Sequence, residues 1–309
     1  MKNTYETQSS KIKICPGGPE FSRFVQGYWR LNSWSMNPQQ RLSFLKQHLE
    51  LGVSTVDHAY VYAPPSCEKL FGEALKLEPS IRQDIQIVSK CGINLVNNLS
   101  KQKQVSHYSS DRKSIIQSVE TSLKRLSTNH LDALLLHRPD FLMNVDEIAE
   151  VFSQLKKSGK VKYFGVSNFN TSQFSLLESR LDHPLITNQI EINPINFDVI
   201  DNGTLDQLQQ KRISPMAWSC LAGGDIFSVQ SEQALRLRET LTDIQEEIGA
   251  NSIDQVIFAW ILKLPSKPVI IIGSGKIDRV ITAIESENFI LTREQWYRVW
   301  VASKGINVP

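Results

Sequence analysis

The sequence predicts an α/β protein built on a closed barrel of eight parallel strands, each followed by a helix: a (β/α)8 or TIM barrel. Short, near-continuous apolar runs alternate with amphipathic helical segments, a pattern typical of a parallel sheet covered by helices. Eight such runs fit within the 309 residues, and eight is the number that a closed barrel requires. An open doubly wound sheet is the alternative architecture.

The eight apolar runs are the predicted strands, and each is too brief for a helix. No long stretch rich in Pro, Gly or Ser divides the chain. We therefore expect residues 1–309 to form one barrel domain. The predicted strands are residues 24–29, 53–57, 85–90, 131–137, 161–167, 185–191, 213–219 and 268–273.

Helix signals between these runs have recognisable starts and ends. Pro38 suits a first helical turn, and Gly52 suits the position after a last turn. Asn144 and Glu147 stand at the spacing of a capping box. One-sided apolar stripes predict helices over residues 38–51, 111–126, 144–159 and 236–249.

Two further features lie outside the repeating pattern. The segment KIKICPGGPEFSR predicts an N-terminal β-hairpin turned at Gly17 and Gly18. Extra helices are predicted near residues 252–263 and 292–302 at the C-terminal end. We expect these additions to close the barrel floor or to flank the barrel.

Composition excludes several classes of function. A net charge of +2, with 41% hydrophobic and 21% charged residues, gives no basic field for nucleic acid. The 4 cysteines form no CxxC pair, so the sequence suggests neither a disulfide framework nor a structural zinc site. There is no signal-peptide core and no apolar run long enough for a membrane span. We expect a cytoplasmic protein with reduced thiols and no membrane partner.

Polar residues at the ends of the predicted strands are the candidates for chemistry, because TIM-barrel active sites are built there. Asp57, Lys90 and His137 end three strands, and Tyr62 follows on the loop after Asp57. A lysine cation beside a tyrosine stabilises phenolate and lowers the tyrosine pKa, so Tyr62 can act as a general acid. His137 can donate a hydrogen bond to the same substrate oxygen. Any one of these residues alone could simply mark where a strand meets water.

A second set of polar residues suggests a phosphate site. Residues 273–279, GSGKIDR, lead a predicted strand into a helix, where free backbone N–H groups favour a phosphate. Lys276 and Arg279 add positive charge. The competing interpretation is that both are ordinary solvated helix residues.

Five separated motifs follow one another in the chain: GVSTVDHAYVYAPPSCEKLFGEAL, HLDALLLHRPD, GKVKYFGVSNF, TNQIEINP and IIIGSGKIDR. By these motifs the chain resembles the aldo-keto reductase family over about residues 12–300. In detail the pattern is closest to bacterial oxidoreductases of the YdhF type. The resemblance implies reduction of aldehydes or ketones to alcohols, with Tyr62 as proton donor, Lys90 and Asp57 as its tuning pair and His137 orienting the carbonyl.

The resemblance also implies NADPH as cofactor, although no GxGxxG fingerprint follows the first strand. Ser167, Asn168 and Gln189 would bind the nicotinamide carboxamide. Trp218 would stack on the ring in place of the usual tyrosine. The pyrophosphate would lie on Ser219, Leu221 and Gly223, and the 2′-phosphate on Ser274, Arg279 and Lys276. The remaining expected cofactor contacts are Gly27, Trp29, Arg30, Asp57 and Gly273.

The adenine end departs from the family pattern. Many relatives carry a Glu-Asn pair where this chain has Thr282 and Ala283. Adenine recognition must therefore differ, and NADH stays open as an alternative cofactor.

Two other functions were weighed against reduction. His58, beside Asp57 and with His137 near, would suit a metal hydrolase, but the HxH pair of such barrels is absent, so we expect no metal and a packing role for His58. The same fold with bound NADPH also serves as a regulatory subunit of potassium channels. We expect a monomeric enzyme whose partner is a small carbonyl substrate.

Substrate choice should come from the loops around the barrel mouth. The candidates are residues 91–112, residues 220–232, the C-terminal tail, and the aromatic side chains of Tyr28 and Trp29. Trp29 could equally fill the core.

Overall fold

The computed structural model describes residues 7–64, 66–96 and 105–309. Eight strands, all parallel, close into a barrel in the order β10-β11-β12-β3-β4-β5-β8-β9, so the predicted architecture is confirmed and the open-sheet alternative is wrong. The strands are β1 (Lys11–Lys13), β2 (Glu20–Ser22), β3 (Phe24–Gly27), β4 (Thr55–Asp57), β5 (Gln86–Cys91), β6 (Ile93–Asn94), β7 (His107–Tyr108), β8 (Leu131–Leu136), β9 (Val161–Ser167), β10 (Asn188–Glu191), β11 (Met216–Trp218) and β12 (Val269–Ile272).

Helices cover the outside of the barrel between successive strands, with short 3-10 turns at Leu31–Ser33, Pro79–Asp84, Ala222–Gly224 and Ser286–Asn288. The helices are α1 (Pro38–Glu50), α2 (Cys67–Leu77), α3 (Arg112–Leu126), α4 (Val145–Lys157), α5 (Thr171–Glu178), α6 (Asp198–Asp201), α7 (Thr204–Lys211), α8 (Asp225–Ser228), α9 (Glu232–Ile248), α10 (Ile253–Leu262), α11 (Ile277–Glu285) and α12 (Arg293–Lys304). Within the described residues, no helix is both long enough and apolar enough to cross a bilayer.

Closure of the barrel is completed by the pairing of β12 with β3, where Ile270 lies opposite Phe24. Several predicted strands were too long at their starts. Val53, Leu185 and Ile213 are buried but precede the hydrogen-bonded ladders of β4, β10 and β11. A run of apolar residues indicates that a segment is buried, not that it is hydrogen-bonded in a sheet. The buried segment here includes the loop that leads into each strand at its N-terminal end.

Helix ends follow the sequence signals closely. Helix α1 begins at Pro38, and a capping box joins Asn37 and Gln40. At α4 the Asn144 side chain accepts from the N–H groups of Asp146 and Glu147. Among the described contacts the return bond from Glu147 is missing, so the predicted capping box is only half formed.

The N-terminal hairpin is confirmed: β1 and β2 pair antiparallel, with Gly17 in the left-handed region at φ 72°. The hairpin covers the N-terminal ends of the barrel strands, because the Ile14 carbonyl accepts from Ser214 N just before β11. The C-terminal helices flank the barrel. Trp260 of α10 stacks on Trp296 of α12 at 5.0 Å, and each indole N–H donates to the other's carbonyl.

Candidate active site

A cavity of about 890 Å³ opens at the carboxyl ends of the barrel strands. Its wall contains every predicted site residue except Lys90, which lies beneath it, and Lys276, which is exposed beside it. The predicted residues that line it are Gly27, Trp29, Arg30, Asp57, Tyr62, His137, Ser167, Asn168, Gln189, Trp218, Ser219, Leu221, Gly223, Gly273, Ser274 and Arg279.

Lys90 is the buried centre of the charged group at the base of the cavity. Its ammonium donates to both Asp57 carboxylate oxygens at 2.8 and 2.7 Å, to the His58 carbonyl at 2.8 Å and to the Tyr62 hydroxyl at 3.1 Å. Burial acts to lower the pKa of Lys90, but the charges of Asp57 and Tyr62 outweigh it, and the pKa is raised. The ammonium therefore stays charged at neutral pH.

The barrel topology places this pair. Asp57 ends β4 and lies opposite Val88 of the neighbouring strand β5, while Lys90 is two residues further along β5. Two residues in a strand return the side chain to the same face. Both side chains therefore point to the same face of the sheet, and the long Lys90 side chain reaches the Asp57 carboxylate.

Tyr62 and Tyr60 lie on the loop after β4 but face different partners. The Tyr62 hydroxyl contacts Lys90, whereas the Tyr60 ring lies 4.9 Å from the Arg125 guanidinium. Arg125 also donates to the Tyr60 carbonyl at 2.9 Å, and Tyr60 N donates to Lys90 O at 3.0 Å. These bonds fix the loop so that Tyr62, and not Tyr60, turns towards the cavity.

The expected direction of the Tyr62 pKa shift is wrong. Burial raises the pKa of the phenol, and this outweighs the lowering by the Lys90 cation. The neighbouring Asp57 carboxylate raises the pKa further. Tyr62 therefore keeps its proton throughout the neutral range, as a proton donor must. The raised pKa also makes the phenol a weaker acid, so the Lys90 cation has to stabilise the phenolate during proton transfer.

His137 follows β8 on the other side of Tyr62. Its ring centre lies 5.9 Å from that of Tyr62, at an angle of 76°. Burial, together with the cations of Lys90 and Arg138, holds the pKa of His137 well below its ordinary value. The imidazole is therefore neutral, with one N–H to donate.

The amide-bearing residues form a connected network on the opposite wall. Gln189 Nε2 donates to Asp57 Oδ1 at 2.8 Å, so β10 is joined to β4 across the barrel. The Asn168 amide donates to the Ser167 hydroxyl at 2.8 Å and accepts from the Trp218 indole at 3.2 Å. Asn168 holds a left-handed backbone at φ 61°, and such conformations cluster at functional sites.

The far end of the cavity is built by the segment after β12. Gln26 Nε2 donates to Ser274 O at 3.0 Å and positions the turn. Gly275 has to be glycine, since a Cβ there would lie 2.5 Å from the Trp34 ring. Ser274 and Arg279 line the cavity beside the start of α11.

The comparison with protein families decides the identity. The profile of the Aldo/keto reductase family matches residues 23–302. The chain belongs to the aldo/keto reductase family. It is therefore an oxidoreductase of that family, and the resemblance noted in the sequence is confirmed.

Individual relatives agree with this assignment. The oxidoreductase YdhF of Escherichia coli (strain K12) is 54% identical over 97% of this chain and 99% of YdhF. A 6-dehydroglucose reductase of Agrobacterium fabrum is 37% identical over 94% of this chain and 96% of that protein. The crystal structure of an aldo/keto reductase from Klebsiella pneumoniae in complex with NADP and acetate shares the fold, with a TM-score of 0.75, 21% identity and 94% of each chain covered.

Two of the predicted aromatic positions in this aldo/keto reductase are now decided. Trp29 is 59% exposed and lines the cavity, so the core-filling alternative is wrong. Tyr28 was expected at the mouth, but only 1% of it is exposed. Its hydroxyl donates to His48 Nε2 at 2.8 Å, because the other His48 nitrogen, Nδ1, donates to the Val53 carbonyl.

His58 packs inside the reductase, as predicted. Its ring is fully buried, stacks on Tyr28 at 4.9 Å and contacts Phe71 at 4.5 Å. Burial and the Lys90 cation lower the pKa of His58 to about 3. Among the described residues, no three His, Cys, Asp or Glu side chains group closely enough to hold a metal ion.

Sequence reasoning missed two charged residues of the cavity. Arg138 follows His137 directly, so the strand-end rule could have found it. Asp254 stands in the first turn of α10, far from any strand end, and no sequence signal places it in the cavity. Apolar wall residues that were also missed are Val61, Ala63 and Phe258. Ile93, Leu95 and Phe227 of the wall belong to segments 91–112 and 220–232, which were predicted to line the mouth.

Proposed function

We propose that this reductase converts aldehydes or ketones to alcohols with NADPH as the reductant. The observation that carries the proposal is the Tyr62 hydroxyl, held 3.1 Å from a buried, charged Lys90 at the base of the cavity. When bound, NADPH supplies a hydride to the carbonyl carbon. The protein supplies the proton and the stabilisation of charge.

Tyr62 donates its proton to the carbonyl oxygen as that oxygen gains negative charge. The phenolate that remains is stabilised by the Lys90 ammonium, and Asp57 keeps Lys90 charged and oriented. These interactions strengthen as charge develops, which is the condition for lowering a barrier. Proton and hydride together convert the carbonyl to an alcohol.

His137 holds the carbonyl oxygen. A neutral imidazole donates a hydrogen bond without competing with Tyr62 as the acid. Its low pKa, caused first by burial, keeps the imidazole neutral at neutral pH, where Tyr62 is protonated. The substrate carbonyl oxygen therefore receives hydrogen bonds from two donors of different acidity, the Tyr62 hydroxyl and the His137 imidazole.

The residues that would hold NADPH fit its groups. Ser167, Asn168 and Gln189 supply amide and hydroxyl groups for the carboxamide, and the Trp218 face lies on the same wall for the ring. Gly223 takes φ 68° and has open space in front of it, which suits close approach of a pyrophosphate. The contacts completing the assignment are Gly27, Trp29, Arg30, Asp57, Ser219, Leu221 and Gly273.

The 2′-phosphate of NADPH is assigned to Ser274 and Arg279. No ion pair or hydrogen bond occupies the Arg279 side chain within the described part of the chain, so its charge is available to a ligand. Lys276 is exposed outside the cavity wall and would contribute only at longer range. The NADP in the related crystal structure supports this choice of cofactor.

A pair of tyrosine variants tests the mechanism. Tyr62→Phe should lower aldehyde reduction by at least about 100-fold, because it removes the general acid. NADPH should still quench tryptophan fluorescence with its original affinity. Tyr60→Phe is the matched control and should cost little, since that ring contacts Arg125 instead. Full turnover in Tyr62→Phe would overturn the assignment.

The competing role is a regulatory subunit that binds NADPH with little turnover. The polar residues Lys90, Asp57 and Tyr62 alone do not separate the two roles. The relatives favour an enzyme, since those with 54% and 37% identity are an oxidoreductase and a reductase. A panel of aldehydes, ketones and quinones, followed by NADPH and NADH absorbance, separates the two roles. Because one relative is a 6-dehydroglucose reductase, that compound belongs in the panel. Tight cofactor binding with no reduction of any carbonyl would support the regulatory role.

A further inference from the structure

Arg138 lines the cavity, and its cation adds to the burial and the Lys90 charge that hold the pKa of His137 low. No role in binding a ligand has yet been assigned to it. It follows His137 at the end of β8, and its guanidinium lies 5.8 Å from the centre of the Trp218 ring. It therefore stands between the residue proposed to hold the carbonyl and the residue proposed to carry the nicotinamide. A charged group in this position faces the substrate.

The charge of Arg138 is not neutralised by the protein. Within residues 7–64, 66–96 and 105–309, no carboxylate lies at ion-pair distance from it and no hydrogen bond occupies its side chain. The nearest acid in sequence, Asp140, is committed elsewhere: it accepts from Ser110 N at 2.9 Å, Ser110 Oγ at 3.0 Å and Leu142 N at 2.9 Å. Residues 97–104, which lie outside the described part of the chain, contain no Asp or Glu.

The other charges of the cavity already have a partner or an assigned place in cofactor binding. Asp57 is paired with Lys90, and Asp254 and Arg279 stand together at the far end. Arg30 lies over the Trp29 ring at 5.3 Å and belongs to the predicted cofactor contacts. The substrate end of the cavity therefore has an uncompensated positive charge.

The composition of the cavity limits which ligand groups can neutralise the charge of Arg138. Trp29, Val61, Ile93 and Leu95 are apolar parts of the same cavity wall. A half-buried guanidinium in such surroundings is stabilised by an anion that enters with the ligand, and its planar fork matches a carboxylate or a phosphate.

We propose that Arg138 recognises an anionic group, a carboxylate or a phosphate, on the carbonyl substrate. The reductase then prefers acidic carbonyl compounds to neutral compounds of the same shape. This inference rests on the proposed carbonyl reduction and names its substrate class. Charge-assisted hydrogen bonds from arginine correspond to roughly a 10- to 100-fold preference in kcat/KM.

Matched substrates measure the preference. 4-Formylbenzoate is compared with its methyl ester, and 4-formylphenyl phosphate with 4-methoxybenzaldehyde, in the wild type, Arg138→Met and Arg138→Lys. Ratios between variants cancel the intrinsic reactivity of each aldehyde. The control is Arg180→Met, an arginine whose partner Asp146 lies on the surface.

In the wild type we expect the anionic member of at least one pair to be favoured about tenfold or more. Arg138→Met should remove that preference. Burial and the Lys90 cation, the two larger causes of the low His137 pKa, remain in the variant. Reduction of the neutral member and the NADPH dissociation constant should therefore stay close to the wild type. Arg138→Lys should recover part of it. The pair that loses its preference tells whether carboxylate or phosphate is recognised. An unchanged ratio in Arg138→Met, or a parallel rise in the NADPH dissociation constant, would overturn the proposal.

A binding experiment keeps this test independent of turnover. Benzoate, benzamide and inorganic phosphate are titrated by calorimetry into the NADPH-saturated protein. Benzoate or phosphate should bind at least about tenfold more weakly to Arg138→Met, and benzamide should not distinguish the variants. If no aldehyde is reduced but this difference is found, carbonyl reduction fails while anion recognition stands. Equal binding of anions by both proteins contradicts the role of Arg138.

Discussion

The two ends of the cavity differ in how their charges are satisfied. At the base, Lys90 is fully occupied by Asp57, His58 and Tyr62, all within 3.1 Å. At the far end, Arg279 lines the cavity, and among the described residues its charge has only the longer-range attraction of Asp254. The base is organised before any ligand arrives, whereas the far end has charge left for a ligand to neutralise.

This difference separates catalysis from binding. Groups that stabilise a transition state work best when they need no rearrangement during the reaction. Groups that hold a charged cofactor need an available charge. Substitutions at the base should therefore change turnover and stability together, and substitutions at the far end should change cofactor affinity alone.

The largest effect is expected from Lys90→Met. It leaves the Asp57 carboxylate buried without its partner, which should lower the free energy of unfolding by about 3–5 kcal/mol. Carbonyl reduction should fall by at least about 100-fold, because the phenolate of Tyr62 loses its stabilising cation. Thermal unfolding and NADPH absorbance measure the two effects.

The double variant Asp57→Asn with Lys90→Met separates these effects. Removing both charges should restore much of the stability but none of the turnover. A single variant as stable as the wild type would show that the pair is not desolvated. Recovered turnover in the double variant would show that the cation is dispensable.

A smaller effect, on binding only, is expected from Arg279→Leu. Loss of the charge opposite the 2′-phosphate should weaken NADPH binding roughly 10- to 100-fold and leave NADH binding nearly unchanged. Lys276→Met, beside the cavity wall, should weaken NADPH binding less. Fluorescence titration with both cofactors provides the dissociation constants. Equal losses for NADPH and NADH would place Arg279 away from the 2′-phosphate.

The smallest effect is expected from Asp254→Asn. Its carboxylate lines the same end of the cavity as Arg279, so it opposes an incoming phosphate and offsets the arginine charge. The variant should bind NADPH about threefold more tightly, with little change for NADH. An equal gain for both cofactors would mean that the substitution acts on shape and not on charge.

The contrast between the two ends also explains what the sequence could predict. Asp57, Lys90 and His137 end buried strands, and the parallel barrel brings all strand ends together, so their convergence followed from topology alone. The same rule, that residues at strand ends line the active site, could have predicted Arg138, which directly follows His137. Asp254 was not, because its helix reaches the cavity only through packing of the extra C-terminal elements.

Energetic details were harder to predict than positions. The sequence places a cation beside Tyr62 and so suggests a lowered pKa, but the sign depends on how completely the loop buries the phenol. Tyr28 was misplaced for a related reason. Its neighbour Trp29 faces the cavity, and only the folded chain shows that Tyr28 turns towards His48.

The small ribbon of β6 and β7 has a consequence for changing the specificity of this reductase. Ile93 pairs with Tyr108, and Ser109 N donates to Gly92 O. The two ends of the segment between β5 and α3 are therefore held together directly beyond β5. Ile93 and Leu95 nevertheless form part of the cavity wall. Exchange of residues 92–109 between relatives would alter the substrate pocket and leave the strand pairing of the barrel intact. Substrate specificity can therefore change, in evolution or by protein engineering, through this segment alone.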